Sequence, residues 1–135
     1  MEISEIPTPS YVLEEKKLRQ NLEILKRVSD ESGLNILMAL KGFAFWESFP
    51  LVKEYLSGTS ASGLHEALLG FEEFGDEVHT YSPAFNPNEI EKIAEISTKI
   101  IFNSFSQLEK HYDFVKSKNP NISVGLRLNP EFPTT

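Results

Sequence analysis

Residues Asn35 to Trp46 read NILMALKGFAFW. An apolar run, Ile36 to Leu40, is stopped by Lys41 and Gly42. The run has the length and continuity of a buried strand. Alternate residues of a strand share a face. Leu37, Ala39 and Lys41 therefore point one way, and Ile36, Met38 and Leu40 the other. Ala39 is small, which leaves room beneath Lys41 for the lysine stem or a ligand. A lysine amine forms Schiff bases with carbonyl compounds. A lysine at a strand end is equally what a side chain reaching out to water looks like. The stretch by itself leaves both readings open.

Outward from this strand the chain alternates. Ser10 to Leu13 (SYVL) is a short β-like run after two prolines. Glu14 to Ser32 carries Leu18, Leu22, Leu25 and Val28 at helical spacing, and Gly33 suits a helix C-cap. After Ile36 to Leu40 comes a predicted helix from Trp46 to Leu56, with Pro50 in its first turn or at a kink. Gly58 to Ser62 is a small-residue strand end, Leu64 to Phe74 a helix closed by Gly75, and Val78 to Tyr81 a strand. Asn86 and Pro87 open a helix to about Ser97. Lys99 to Phe102 is a strand, Ser104 or Ser106 starts a helix through Val115, and Ile122 to Leu128 is the last strand. This regular alternation predicts a parallel sheet with helical crossovers, class α/β. A doubly wound sheet and a TIM barrel both fit. No glycine-rich dinucleotide or Walker-type loop follows any strand.

In such folds the chemistry gathers at the carboxyl ends of the strands. Those ends carry Lys41, then Thr59, Ser60 and Ser62, then Ser82, then Asn103 and Ser104, then Arg127 and Asn129. In SVGLRLN, parity puts Ser123, Gly125, Arg127 and Asn129 on one face, toward a barrel or cleft. Val124, Leu126 and Leu128 take the other, under helices. His65, His79 and His111 show no metal-ligand spacing, so no metal site is expected. The acidic run Phe71 to Glu77 reads as a solvated helix end. Phe43, Phe45 and Trp46 read as core or inter-subunit packing, or as a pocket wall beside Lys41.

Composition narrows the classes. The chain has 135 residues, 40% hydrophobic and 24% charged, which is globular. A net charge of −7 argues against a broad nucleic-acid surface and is compatible with a cationic ligand. Cysteine is absent, so disulfides and thiolate metal sites are too. The acidic start lacks the apolar segment of a signal peptide, and no apolar run approaches the ~20 residues that span a bilayer. These features predict a soluble, cytoplasmic protein without membrane partners.

TPSYVL, ALKGFAFW and GTSASGLHEALLG resemble the fold type III pyridoxal-phosphate (PLP) decarboxylases. Together with HTYSPAF (His79 to Phe85), IIFNSFSQLE (Ile100 to Glu109) and GLRLNP (Gly125 to Pro130), they resemble the carboxynorspermidine/carboxyspermidine decarboxylase subfamily in the right order. The resemblance implies PLP-dependent decarboxylation of a small cationic polyamine carboxylate, in polyamine biosynthesis. It implies a PLP-binding (β/α)8 TIM barrel followed by a C-terminal β-domain, and a homodimer in the full-length parent. Lys41 matches the lysine that holds PLP and is the catalytic residue. Arg127 matches an arginine close to the cofactor and Ser62 and Glu66 a segment near its ring; Ala39, below Lys41 by strand parity, is taken as a further cofactor-binding position. About five barrel strands can be counted, whereas a TIM barrel takes ~250 residues. Residues 1–135 are therefore expected to be the N-terminal portion of the barrel domain, with the rest of the barrel and the β-domain beyond Thr135. The isolated chain is not expected to be a competent enzyme. Diaminopimelate decarboxylase and a non-catalytic PLP-binding barrel protein remain alternatives.

Overall fold

The computed structural model describes residues 3–132, so the ends of the expected domain lie outside the described residues. Five strands form one sheet: β1 (Leu37–Ala39), β2 (Gly58–Ala61), β3 (Glu77–Tyr81), β4 (Lys99–Phe102) and β5 (Ser123–Leu126). All pair in parallel, in the order 1-2-3-4-5. A doubly wound sheet reverses its strand order at a switch point. This sheet runs one way throughout, which is the order of successive barrel units. Of the two architectures open in the sequence, the structure is the barrel type, with five parallel strands.

The helices are α1 (Glu15–Ser32), α2 (Phe49–Lys53), α3 (Leu64–Leu69), α4 (Ile90–Ile96) and α5 (Phe105–Lys118). The alternating strand residues Met38, Thr59, Ala61, Val78, Thr80, Ile100 and Phe102 are buried. Two apolar clusters join them to the helices. One gathers Met38, Leu40, Ala61 and Val78 with Leu22, Phe49, Val52, Ala67 and Phe74. The other gathers Ile100 and Phe102 with Phe85, Ile90, Ile93 and Val115. Edge-on ring contacts lock both, Phe49 on Phe74 at 5.7 Å and Phe85 on Phe102 at 5.6 Å. The opposite sheet face is open: Ala39 is exposed, and Ser60, His79, Tyr81, Ile101 and Gly125 are only half-buried.

Several boundaries move. Ser10 to Leu13 forms no strand. Strand preference expresses fit to a half-buried pleated surface, and none meets this segment, where Tyr11 is 95% exposed. The helix expected over Trp46 to Leu56 is a 3-10 turn, Trp46–Ser48, followed by α2, with Pro50 in the first turn where its missing N–H costs nothing. The helix expected to reach Phe74 ends in a π turn, Gly70–Phe74, closed by the Gly75 N–H on the Gly70 carbonyl at 2.8 Å. Near Asn86 the side chain accepts the Asn88 N–H at 3.0 Å, an Asx turn that delays α4 to Ile90. The last strand stops at Leu126 rather than Leu128. β4 ends at Phe102, whose carbonyl takes the Arg127 N–H at 2.8 Å, so nothing is left for residue 128 to pair with. The caps at Gly33 (φ +70°) and Ser104, which accepts the Gln107 N–H at 3.2 Å, are as expected.

Close approach demands glycine at Gly58. A Cβ there would stand 2.2 Å from the Glu77 carbonyl oxygen on β3, a backbone atom that cannot swing away. Gly33 needs only its left-handed conformation and has open space around it. Gly33→Ala is expected to cost about 1 kcal/mol and Gly58→Ala about 3 kcal/mol in urea denaturation. Equal losses would contradict the β2–β3 approach.

Candidate active site

Lys41 follows β1 in a tight turn. The Leu40 N–H still bonds to the Ser60 carbonyl at 3.0 Å, and the Gly42 and Phe43 N–H groups close on the Ala39 carbonyl at 2.9 and 3.1 Å. The backbone carrying the lysine is therefore held on both sides. Its side chain is exposed, and among the described residues it makes no side-chain hydrogen bond or ion pair. Ala39 lies exposed below it on the open face, as parity required.

The register carries this row across the sheet. Ala39 pairs with Ser60 and Ser60 with His79. Two residues further along are Lys41, Ser62 and Tyr81, and Tyr81 pairs with Ile101, which pairs with Gly125. Lys41 and Tyr81 thus stand two strands apart, about 10 Å at ~4.8 Å per strand. Arg127 lies four strands from Lys41, about 19 Å along the sheet. Lys41, Ser62 and Arg127 share one face and one end, but Lys41 does not touch Arg127, and Thr59, expected on the rim, is instead buried on the helix-covered face because its parity is that of Met38 and Val78. Ser62 is exposed, and its N–H donates to the Glu66 carboxylate at 2.8 Å. Glu66 is thereby engaged in capping the start of α3.

At the other end of the rim the polar groups do meet. The Arg127 guanidinium donates to the Tyr81 hydroxyl and lies 5.3 Å from the ring centre. The Tyr81 hydroxyl donates to Asn103 Oδ1 at 2.8 Å. The Asn103 N–H donates to Gln107 Oε1 at 2.9 Å, and Gln107 Nε2 to the Pro83 carbonyl at 2.7 Å. Sequence reasoning weighed His79 only as a metal ligand, gave Tyr81 no role, and read Glu77 as part of a solvated helix end, whereas Glu77 opens β3 and is half-buried there. EVHTY alternates polar and apolar residues just as SVGLRLN does, so the same parity argument would have put all three on the open face.

Deeper in that face, His79 Nε2 lies 2.9 Å from Glu77 Oε2, and His79 pairs across the ladder with Lys99. Burial, then the Lys99 charge, lowers the His79 pKa, while Glu77 opposes both. His111 is in the core, stacked on Phe102 at 6.4 Å, and burial followed by Lys110 lowers its pKa as well. His65 is exposed on α3. In the acidic run Phe74 is buried, while Asp76 pairs with Lys53 at 3.1 Å. Phe43, Phe45 and Trp46 line a groove of about 640 Å³ with Tyr11, Val12 and Leu13, and Trp46 is half exposed. Among the described residues no cluster of His, Cys, Asp or Glu could hold a metal ion, and no helix is long and apolar enough to cross a membrane.

Both lowered histidines bind protons less readily folded than unfolded. Their contribution to stability is complete above the ordinary value of 6.5 and is lost as pH falls through the lowered folded values. The urea midpoint is expected to drop on acidification from about pH 7.5 to about pH 5, and less so in the double variant His79→Gln, His111→Gln. An identical drop in that variant would contradict the assignment.

No family model matches the chain. Curated relatives do. Carboxynorspermidine/carboxyspermidine decarboxylase of Campylobacter jejuni is 50% identical over 127 residues, covering 94% of this chain and 32% of the relative. Carboxyaminopropylagmatine decarboxylase of Synechocystis is 42% identical over 130 residues, 96% of this chain and 33% of the relative. Carboxynorspermidine/carboxyspermidine decarboxylase of Herminiimonas arsenicoxydans is 42% identical over 125 residues, 93% and 33% respectively. The crystal structure of carboxynorspermidine decarboxylase from Campylobacter jejuni, complexed with norspermidine, superposes with a TM-score of 0.87 at 50% identity, over 94% of this chain and 34% of that one. The chain spans about a third of the length of the curated relatives it matches. The resemblance read from the motifs is matched over nearly the whole chain: in sequence and in fold the chain is similar to about a third of a carboxynorspermidine/carboxyspermidine decarboxylase.

Proposed function

We propose that residues 1–135 serve as the N-terminal portion of a PLP-binding barrel in a cytoplasmic, homodimeric decarboxylase of polyamine biosynthesis. The substrate class is a carboxylated polyamine, carboxynorspermidine or carboxyspermidine. The observation that carries the reading is Lys41: an unpartnered amine on a braced turn, at the carboxyl end of β1, on the one sheet face the helices leave open. Relatives named as decarboxylases of three carboxylated amines share this stretch of chain, which supports the class more strongly than any one member of it. The net charge of −7 suits a cationic substrate.

The residues present fit PLP. Lys41 offers a primary amine to its aldehyde, and Ala39 keeps the floor beneath low. Arg127 offers a cation that no carboxylate among the described residues neutralises. When bound, PLP supplies an electron sink for the bonding electrons that a departing carboxylate leaves behind. The chain's own part is placement. The turn on the Ala39 carbonyl keeps Lys41 within reach of one point above the open face, which is what preorganisation requires. Ser62, one strand over in the same row, presents a free hydroxyl toward that space. Arg127 attracts an anionic group from the opposite side.

Borohydride reduction of the chain mixed with PLP, followed by peptide mapping, tests this. Label is expected at Lys41 and lost in Lys41→Ala. Label spread evenly over the other lysines would overturn the site.

A further inference from the structure

We propose that Tyr81 is a positioning residue for Arg127: its hydroxyl and ring fix the guanidinium over the open sheet face so that it can take an oxyanion. The Arg127 backbone is already tied to β4 through Phe102. The side chain is long and exposed, and on its own would sample many rotamers. Tyr81 restrains it twice, by accepting a hydrogen bond and by lying beneath it at 5.3 Å. The phenol is oriented in turn. Its proton goes to Asn103 Oδ1, which turns an oxygen lone pair toward Arg127. Asn103 is braced by Gln107, whose amide also holds the loop after β3 at Pro83.

The identity of the partners matters as much as their geometry. An arginine held by a carboxylate loses its field to that carboxylate. Here the acceptor is a neutral phenol, so the full positive charge stays available. A guanidinium has five N–H donors, and no other described side chain takes a hydrogen bond from this one. A fork so held matches a carboxylate or a phosphoryl group. This rests on the proposed function only for which of those anions is bound. A purely packing contact between Tyr81 and Arg127 would not need the hydroxyl.

Side-chain nitrogen NMR of the uniformly 15N-labelled full chain reads Arg127 directly. Its N–H signals are expected to exchange slowly and to shift on titration with inorganic phosphate or with acetate; the stronger response identifies a phosphoryl or a carboxylate site. In Tyr81→Phe, which keeps the ring, faster exchange is expected, with binding of that anion weaker by about three- to tenfold and the backbone amide spectrum unchanged. Asn103→Leu, which frees the phenol proton, is expected to act in the same direction by a smaller factor, and decides the matter if Tyr81→Phe misfolds. Unchanged exchange and affinity in the variants, or no response of Arg127 to either anion in the parent chain, would overturn the proposal. No step uses Lys41 or PLP, so failure of borohydride labelling leaves this result standing.

Discussion

A parallel strand cannot follow its neighbour without a crossover, and crossovers in one sheet share a hand. When successive strands are always added on the same side, that rule sends every connecting helix to the same face. The order 1-2-3-4-5 is therefore more than a label. It puts Met38, Thr59, Val78, Ile100 and Phe102 under helices, and it leaves Ala39, Ser60, His79, Tyr81 and Gly125 without cover. A doubly wound order would have covered both faces and left no continuous polar surface on the sheet.

Everything chemical about the chain follows from that open face. Its lower rows hold Glu77, His79 and Lys99, charges that could not stand under the helices without partners. Its upper rows hold Lys41, Ser62, Tyr81, Asn103 and Arg127. Hydrogen-bonded turns or caps close the ends of β1, β2 and β4, and the Arg127 N–H is tied to the Phe102 carbonyl. The rim is divided in its contacts. Lys41 is left free at one edge, while Arg127 is held at the other by a neutral network that does not quench its charge. The proposed site uses this pair: an amine without a partner at one edge of the open face and a cation without a carboxylate partner at the other.

Much of this was legible in the residues. The run ILMALK announced both its strand and its alternation, and SVGLRLN placed Gly125 and Arg127 on the open face. Parity reads correctly here because a barrel strand has two dissimilar faces, and a period of two reports them. Strand order was not legible: helical spacing is the same whether a helix crosses above the sheet or below it. The SYVL run misled because strand preference needs a neighbouring strand to be realised, and residues 10–13 pair with none. The Tyr81–Arg127 contact was hidden for another reason. It joins residues 46 apart in sequence, and only the register brings them together. The family blocks supplied what periodicity could not, the expectation that Lys41 is more than a side chain reaching for water.

The chain has no cysteine, so single cysteines can be introduced without background. Thiol-reactivity scanning along β1 to β4 measures directly which face is open. Fast labelling is expected for cysteine at positions 39, 60, 79 and 101, and slow labelling at 38, 59, 78 and 100. A period of two that runs in phase across all four strands is the signature of one covered and one open face. Uniform reactivity along the strands, or protection of both faces, would contradict it.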